Sequence, residues 1–161
     1  MQITDNFLET KDFKKIQEYF LGSFFPWYWQ EKSSHYKNDF WQFSHKLYEN
    51  GQKIDSPGYE LLIPLFKKIG ISALGRVKIN LNPQTEKIIE TGLHNDTDDP
   101  RFFSSVFFLD NSNGYCKIKN EKIFSKENRL VTFKSDTIHT GSTTTNFKRR
   151  LVISIIYLPT L

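Results

Sequence analysis

The chain has 161 residues, a formal net charge of +4 from 22 Lys and Arg against 18 Asp and Glu, and 38% hydrophobic residues. That length sets one domain, residues 1–161, as the expectation. Fifteen Phe, seven Tyr and three Trp supply enough buriable area for a core, which excludes a disordered chain, and the single cysteine, Cys116, excludes an intrachain disulfide and any cysteine-rich zinc site.

The start, Met1-Gln2-Ile3-Thr4-Asp5, lacks the charged segment and apolar run of a signal peptide. No apolar stretch approaches transmembrane length. The expectation is a cytoplasmic protein without membrane contact, and one unpaired thiol agrees with a reducing compartment. The basic residues are dispersed as Lys14-Lys15, Lys67-Lys68 and Lys148-Arg149-Arg150. A solvated basic surface is therefore favoured over a nucleic-acid interface.

In chain order, Asp12 to Leu21 reads as a first helix. Phe13, Ile16 and Phe20 share one face, Thr10 stands as N-cap and Gly22 as stop. The aromatic cluster Phe24-Phe25-Pro26-Trp27-Tyr28-Trp29 reads as core packing, with a substrate-pocket wall as the alternative. Residues 31 to 56 read as polar loop with a turn at Asn50-Gly51; His35 and His45 are expected at the surface. Ser56-Pro57 opens a second helix through Leu61, Leu62, Leu65, Phe66 and Ile69, with Gly70 as its stop and Pro64 as a kink or a shifted start.

From Leu74 the period becomes two. Arg76, Lys78, Asn80 and Asn82 alternate with Val77, Ile79 and Leu81 on a strand with one polar face. Phe102 to Leu109 is a strand ending in the turn Asp110 to Gly114, with Tyr115 to Lys119 expected to pair after it. Leu130 to Phe133 is another strand, and Lys148 to Leu158 is expected to be the longest. Helices about 1–70 followed by strands about 74–159 give an α+β class: an antiparallel sandwich or jelly roll with N-terminal helices packed on one side.

His94-Asn95-Asp96, a distant His139 and then Arg150 form the pattern that carries chemistry. Two imidazoles and one carboxylate suit one face of a divalent first-row metal and leave positions open. On extended backbone His94 and Asp96 point the same way, and His139 must come from another strand. The competing readings are a turn histidine with a loop Asp, a Ca²⁺ loop in Asp96-Thr97-Asp98-Asp99-Pro100 that lacks EF-hand spacing, and a three-ligand zinc hydrolase, which leaves the Arg unexplained. In the last strand Arg150, Val152, Ser154 and Ile156 share one face, and Arg149, Leu151, Ile153, Ile155 and Tyr157 the more apolar other. Arg150 with Ser154 is the better pair for a carboxylate, because a planar guanidinium meets it bidentately. Arg149 is the fallback, and a plain charge run is the alternative to both.

The segments Arg76 to Pro83, Gly92-Leu-His-Asn-Asp96, Phe107 to Gly114, Asn128 to Phe133, His139-Thr-Gly141 and Arg150-Leu-Val-Ile-Ser154, in that order, resemble the 2-oxoglutarate- and Fe(II)-dependent dioxygenases, in particular the small prolyl-4-hydroxylase-like group. The resemblance implies a double-stranded β-helix in which His94, Asp96 and His139 hold Fe(II). It implies 2-oxoglutarate as co-substrate, its 5-carboxylate on Arg150 with Ser154 assisting, and O₂ as oxidant. The implied reaction hydroxylates an unactivated C–H of a peptidyl prolyl or small-molecule substrate and releases succinate and CO₂. Where relatives often carry a tyrosine toward the co-substrate, this chain has Phe108, and Asn82 or Asn80 stands in. Cys116 lies where relatives often carry a small or apolar pocket residue. A reading from another class is a non-catalytic jelly-roll module that binds a metal or ligand without turnover.

Overall fold

A computed structural model describes residues 1–32 and 40–160. In chain order the elements are β1 (Gln2–Thr4), α1 (Thr10–Leu21), β2 (Tyr28–Gln30), β3 (Gln42–Glu49), β4 (Gln52–Lys53), α2 (Ser56–Leu61), α3 (Ile63–Ile69), β5 (Ile71–Pro83), β6 (Phe103–Phe108), β7 (Tyr115–Ile118), β8 (Glu121–Phe124), β9 (Arg129–Lys134), β10 (His139–Gly141) and β11 (Arg149–Pro159). They form two antiparallel sheets. The larger runs β1-β9-β6-β11-β5-β3-β2 with β4 beside β3, and the smaller runs β10-β7-β8. The stretch after β5 extends the smaller sheet through single bridges of Glu90 to Ser142 and His94 to His139. The fold is a jelly roll, with the cleft between its two sheets.

The alternation along β11 divides the larger sheet. Leu151, Ile153, Ile155 and Tyr157 join Phe13, Ile16 and Phe20 of α1 and Leu62, Leu65 and Phe66 of the helical hairpin in one core. Phe13 meets Phe107 of β6 edge-on, with ring centroids 5.9 Å apart. The other face, with Arg150, Val152 and Ser154, lines the cleft. A second cluster of Val106, Phe108, Cys116, Ile118, Val131, Phe133 and Val152 fills the space between the sheets beside it.

Several expectations are corrected. Thr10 is the first helical residue of α1, because the Glu9 carbonyl already accepts from Phe13 N. The helix expected across 56–69 is two helices meeting at Leu62. Pro64 has no N–H for the carbonyl four residues back, so it is accommodated only in the first turn of α3. Asp55, not Ser56, caps α2 by accepting from Gly58 N at 3.3 Å. Gly70, at φ 80°, ends α3 as expected.

The stretch 31–56 is not a loop throughout, and the part about 1–70 is not purely helical. It supplies β1, β2, β3 and β4, all joined to the larger sheet. Gln42 of β3 points into the cleft and His45, Lys46 and Glu49 have local partners, which made a strand look like a loop. Asn50 and Gly51, both at positive φ, form the tight β3–β4 hairpin. β7 does not pair with β6; it pairs with β10 and β8. The turn residues bond elsewhere: Asp110 accepts from Leu151 N at 2.6 Å, and Asn113 Oδ1 from Thr145 N at 2.9 Å. They carry the chain from one sheet to the other instead of closing a hairpin. β5, with 13 residues, is longer than β11, with 11.

The aromatic cluster divides. Phe25 is buried against Phe20 and Trp27, whereas Phe24, Tyr28 and Trp29 are exposed. None of the residues 24–29 lines the cleft between the sheets. His35 lies outside the described residues. His45 is not at the surface: it is buried, its Nδ1 donates to Pro26 O at 2.8 Å, and its Nε2 stands 3.3 Å from Asp55 Oδ2. No helix among the described residues is long and apolar enough to cross a membrane.

Candidate metal centre

His94 and His139 face each other across a two-way backbone bridge, His94 N to His139 O at 2.9 Å and His139 N to His94 O at 2.8 Å. This places the rings 4.4 Å apart. Asp96, two residues on, is fixed by its N–H to Ser135 O at 2.9 Å. The potential ligand atoms of His94, Asp96 and His139 all lie within 4.8 Å of one another. The extended spacing of His94 and Asp96 and the arrival of His139 from another strand therefore bring the three together.

The donor set suits a divalent metal. His94 Nδ1 donates to Gly92 O at 3.1 Å and His139 Nδ1 to Thr137 O at 2.9 Å. A carbonyl can only accept, so each Nδ1 carries the proton and each Nε2 lone pair is left for a metal. Burial, and then the neighbouring His139, hold the His94 imidazole below its ordinary value, so it stays neutral. Burial by itself would raise Asp96, but His139, the Ser104 hydroxyl, Arg76 and His94 together keep its carboxyl below the usual range. Ser104 Oγ donates to Asp96 Oδ2 at 2.5 Å, and Arg76 reaches Oδ1 at 3.0 Å. Asp98 and Asp99 are engaged locally, with Asn95 and Arg101. Among the described residues the ligand atoms that converge are those of His94, Asp96 and His139, not those of the acidic loop 96–99.

Arg150 stands on the same cleft, 1% exposed. Its Nε donates to Ser125 Oγ at 2.8 Å, and its guanidinium reaches Ser142 O at 3.4 Å and Asn82 Oδ1 at 3.5 Å. The guanidinium also lies 5.5 Å from the Phe108 ring centroid. Burial lowers its affinity for the proton, while Asp110 favours the charge. Arg149 projects the other way, is exposed and donates to Leu21 O at 3.2 Å. Ser154 lines the cleft too, but at the level of Lys78, and the hydroxyl on Arg150 belongs to Ser125. Asn80 and Asn82 both face the cleft. Asn82 donates to Gln42 Oε1 at 3.3 Å, and Asn80 Oδ1 is buried without a hydrogen-bond partner. Burial pushes the Cys116 thiol up to about 12, so it stays protonated.

Gly114 is a turn glycine whose missing side chain makes room for this arginine. A Cβ there would stand 2.4 Å from Arg150 Cδ and 2.7 Å from Thr143 O. Gly114→Ala is expected to cost about 1–3 kcal/mol, as overpacking does. Urea unfolding measures it; an unchanged midpoint would mean that Arg150 has another place to go.

Four participants escaped the sequence reading. Arg76 and Lys78 were visible as the polar face of β5, and only the pairing of Arg76 with Asp96 and the place of Lys78 on the cleft wall were missing. Ser104 and Ser125 carry no local signal, because each meets its partner through the fold. Lys78 is half-buried on the cleft wall. Burial, and then Arg76, bring it down to about 8 from the usual 10.5. Between those values the unfolded chain keeps the proton that the folded protein releases. The metal-free protein therefore gains stability as pH rises from 8 to 10.5. Melting temperatures across that window should rise more steeply in the wild type than in Lys78→Met.

No family model matches the chain, and no curated protein matches it. Among solved structures it is similar to the non-heme alpha-ketoglutarate-dependent epimerase SnoN from nogalamycin biosynthesis, at 10% identity and TM-score 0.69 over 98% of this chain and 77% of that one. It is similar to an oxidoreductase of the 2OG-Fe(II) oxygenase family from Burkholderia pseudomallei, at 15% identity and TM-score 0.65 over 96% and 82%. A Pseudomonas putida prolyl-4-hydroxylase aligns at 11% identity and TM-score 0.61 over 99% and 92%. SnoN has been crystallised with Fe³⁺ and alpha-ketoglutarate. At these identities the likeness is one of architecture, and the chain has the jelly-roll fold of the 2-oxoglutarate- and Fe(II)-dependent oxygenases.

Proposed function

We propose that this protein is an Fe(II)- and 2-oxoglutarate-dependent dioxygenase that hydroxylates an unactivated C–H bond of a peptidyl prolyl or small-molecule substrate, with release of succinate and CO₂. The observation that carries this reading is one cleft with two kinds of site: the His94, Asp96 and His139 group, and a fully buried Arg150. A buried guanidinium is costly unless an anion meets it. A three-ligand metal group and a fixed cation in one cleft suit a co-substrate with a carboxylate at each end.

In this reading His94, Asp96 and His139 hold Fe(II), and Arg150 binds the distal carboxylate of 2-oxoglutarate. Asn82, Asn80 and Ser154 offer polar contacts along the co-substrate. When bound together with 2-oxoglutarate and O₂, the iron supplies the oxidising power that no side chain has. The chain's own contribution is position: Ser104 and Arg76 orient the Asp96 carboxylate, and two backbone carbonyls fix both imidazole tautomers. Val106 and Val152 give the cleft apolar lining, backed by the buried Phe108. The whole chain acts as one catalytic domain, and a cytoplasmic setting suits a reduced Cys116 and ferrous iron.

A second reading, a module that binds metal or ligand without turnover, has one observation in its favour: both Asp96 oxygens already have protein partners. Anaerobic titration with Fe(II) and 2-oxoglutarate separates the readings, followed by a succinate assay in air. A visible charge-transfer band and succinate release are expected. Bound iron with neither would favour the module.

A further inference from the structure

The cleft holds more positive charge than a metal and a dicarboxylate can use. Besides Arg150, Arg76 and Lys78 line it from the inner face of β5. Arg76 is paired with Asp96, yet its Nε is buried without a hydrogen-bond partner. No hydrogen bond or ion pair among the described residues engages Lys78. Its register neighbours are Ser154 on β11 and Lys46 on β3, and Lys46 is itself tied to Glu49.

Position separates this pair from the co-substrate anchor. Arg150 is level with Asn82, and Lys78 is level with Ser154, four residues along β11. At strand rise that is roughly 13 Å. The nearest acid of the cleft, Asp96, is the proposed metal ligand, and the two charges of 2-oxoglutarate offset those of the metal. Arg76 and Lys78 then leave excess positive charge on this part of the cleft wall. A half-buried ammonium that no protein acceptor engages among the described residues keeps its donors for an anion entering the cleft.

We propose that Lys78, with Arg76 Nε beside it, is the specificity-determining pair for the primary substrate, and that this substrate bears a free oxyanion, a carboxylate or a phosphate. This deepens the oxygenase reading and rests on it. It narrows the choice left open there: an acidic small molecule is preferred over a prolyl residue inside an uncharged peptide.

The test is calorimetric binding to the oxygen-free protein loaded with Fe(II) and 2-oxoglutarate. The probes are matched pairs: free amino acids and their amides, N-acetylproline and N-acetylprolinamide, phenyl phosphate and phenol. At least one acid is expected to bind roughly ten- to a hundred-fold tighter than its neutral partner. That preference should vanish in Lys78→Met and Lys78→Gln and return in Lys78→Arg, while the 2-oxoglutarate titration of the charge-transfer band shifts less than about two-fold. Which pair responds tells carboxylate from phosphate. Either of two results overturns the proposal and leaves the oxygenase reading intact: no acid binding better than its partner while the band is normal, or a preference that survives both neutral variants. Weaker 2-oxoglutarate binding in Lys78→Met would instead assign Lys78 to the co-substrate. Failure of the band in the wild type overturns the oxygenase reading and this proposal with it.

Discussion

His139→Ala is expected to abolish iron-dependent turnover and to lower metal affinity by more than about a hundred-fold, since outer partners of metal ligands alone are worth roughly 10–100-fold. The ring is buried between Phe133, at 4.8 Å, and His94, at 4.4 Å, and its Nε2 stands 3.7 Å from Asp96 Oδ2. Its removal leaves two ligands on one short segment and no donor from the facing strand. The backbone bridge between residues 94 and 139 does not depend on the side chain, so the fold should persist, weakened by the cavity and by the lost bond to Thr137 O. Circular dichroism checks the fold, and equilibrium dialysis with Fe(II) or Mn(II) checks the metal. A folded variant with wild-type metal affinity would remove His139 from the proposed ligand set.

Arg150→Ala should raise the 2-oxoglutarate requirement by roughly ten- to a hundred-fold, the loss of a charge-assisted contact of about 1.5–3 kcal/mol. Fe(II) binding should hardly move, because Arg150 is not among the proposed ligands. The substitution also strands the Ser125 hydroxyl and empties a fully buried site, so a stability loss of about 2–5 kcal/mol accompanies it. Arg149→Ala is the control: its side chain is exposed, and the expected effect on stability is within about 0.5 kcal/mol. Titrating the charge-transfer band at fixed Fe(II) separates the two. If Arg149→Ala weakened the co-substrate and Arg150→Ala did not, the anchor would lie outside the cleft, and the proposed function would lose the observation that carries it.

The sequence by itself determined the features that repeat over short distances. Period-two alternation in β5 and β11 set their faces, and the strand β11 buries the face that looked apolar. The helical stripe of Phe13, Ile16 and Phe20 set the buried side of α1, and Gly70 and Asn50-Gly51 marked a helix end and a turn, where the structure has positive φ. The order His94, Asp96, His139, Arg150 marked a candidate site, because few side chains bind metals or carboxylates, and the fold brings these four to one cleft. Only the tertiary structure decided how distant pieces pair. β3 hid in a polar stretch because several of its buried residues are polar: Gln42 looks into the cleft, and Ser44 and His45 are buried beside it. β7 left its expected partner because Asp110 and Asn113 bond to residues more than thirty positions away. Ser125 beside Arg150, Ser104 beside Asp96, and Lys78 with no counter-ion among the described residues are likewise products of the closed roll. Local periodicity is written in neighbouring residues, whereas a buried polar group finds its partner only when the two sheets close over it.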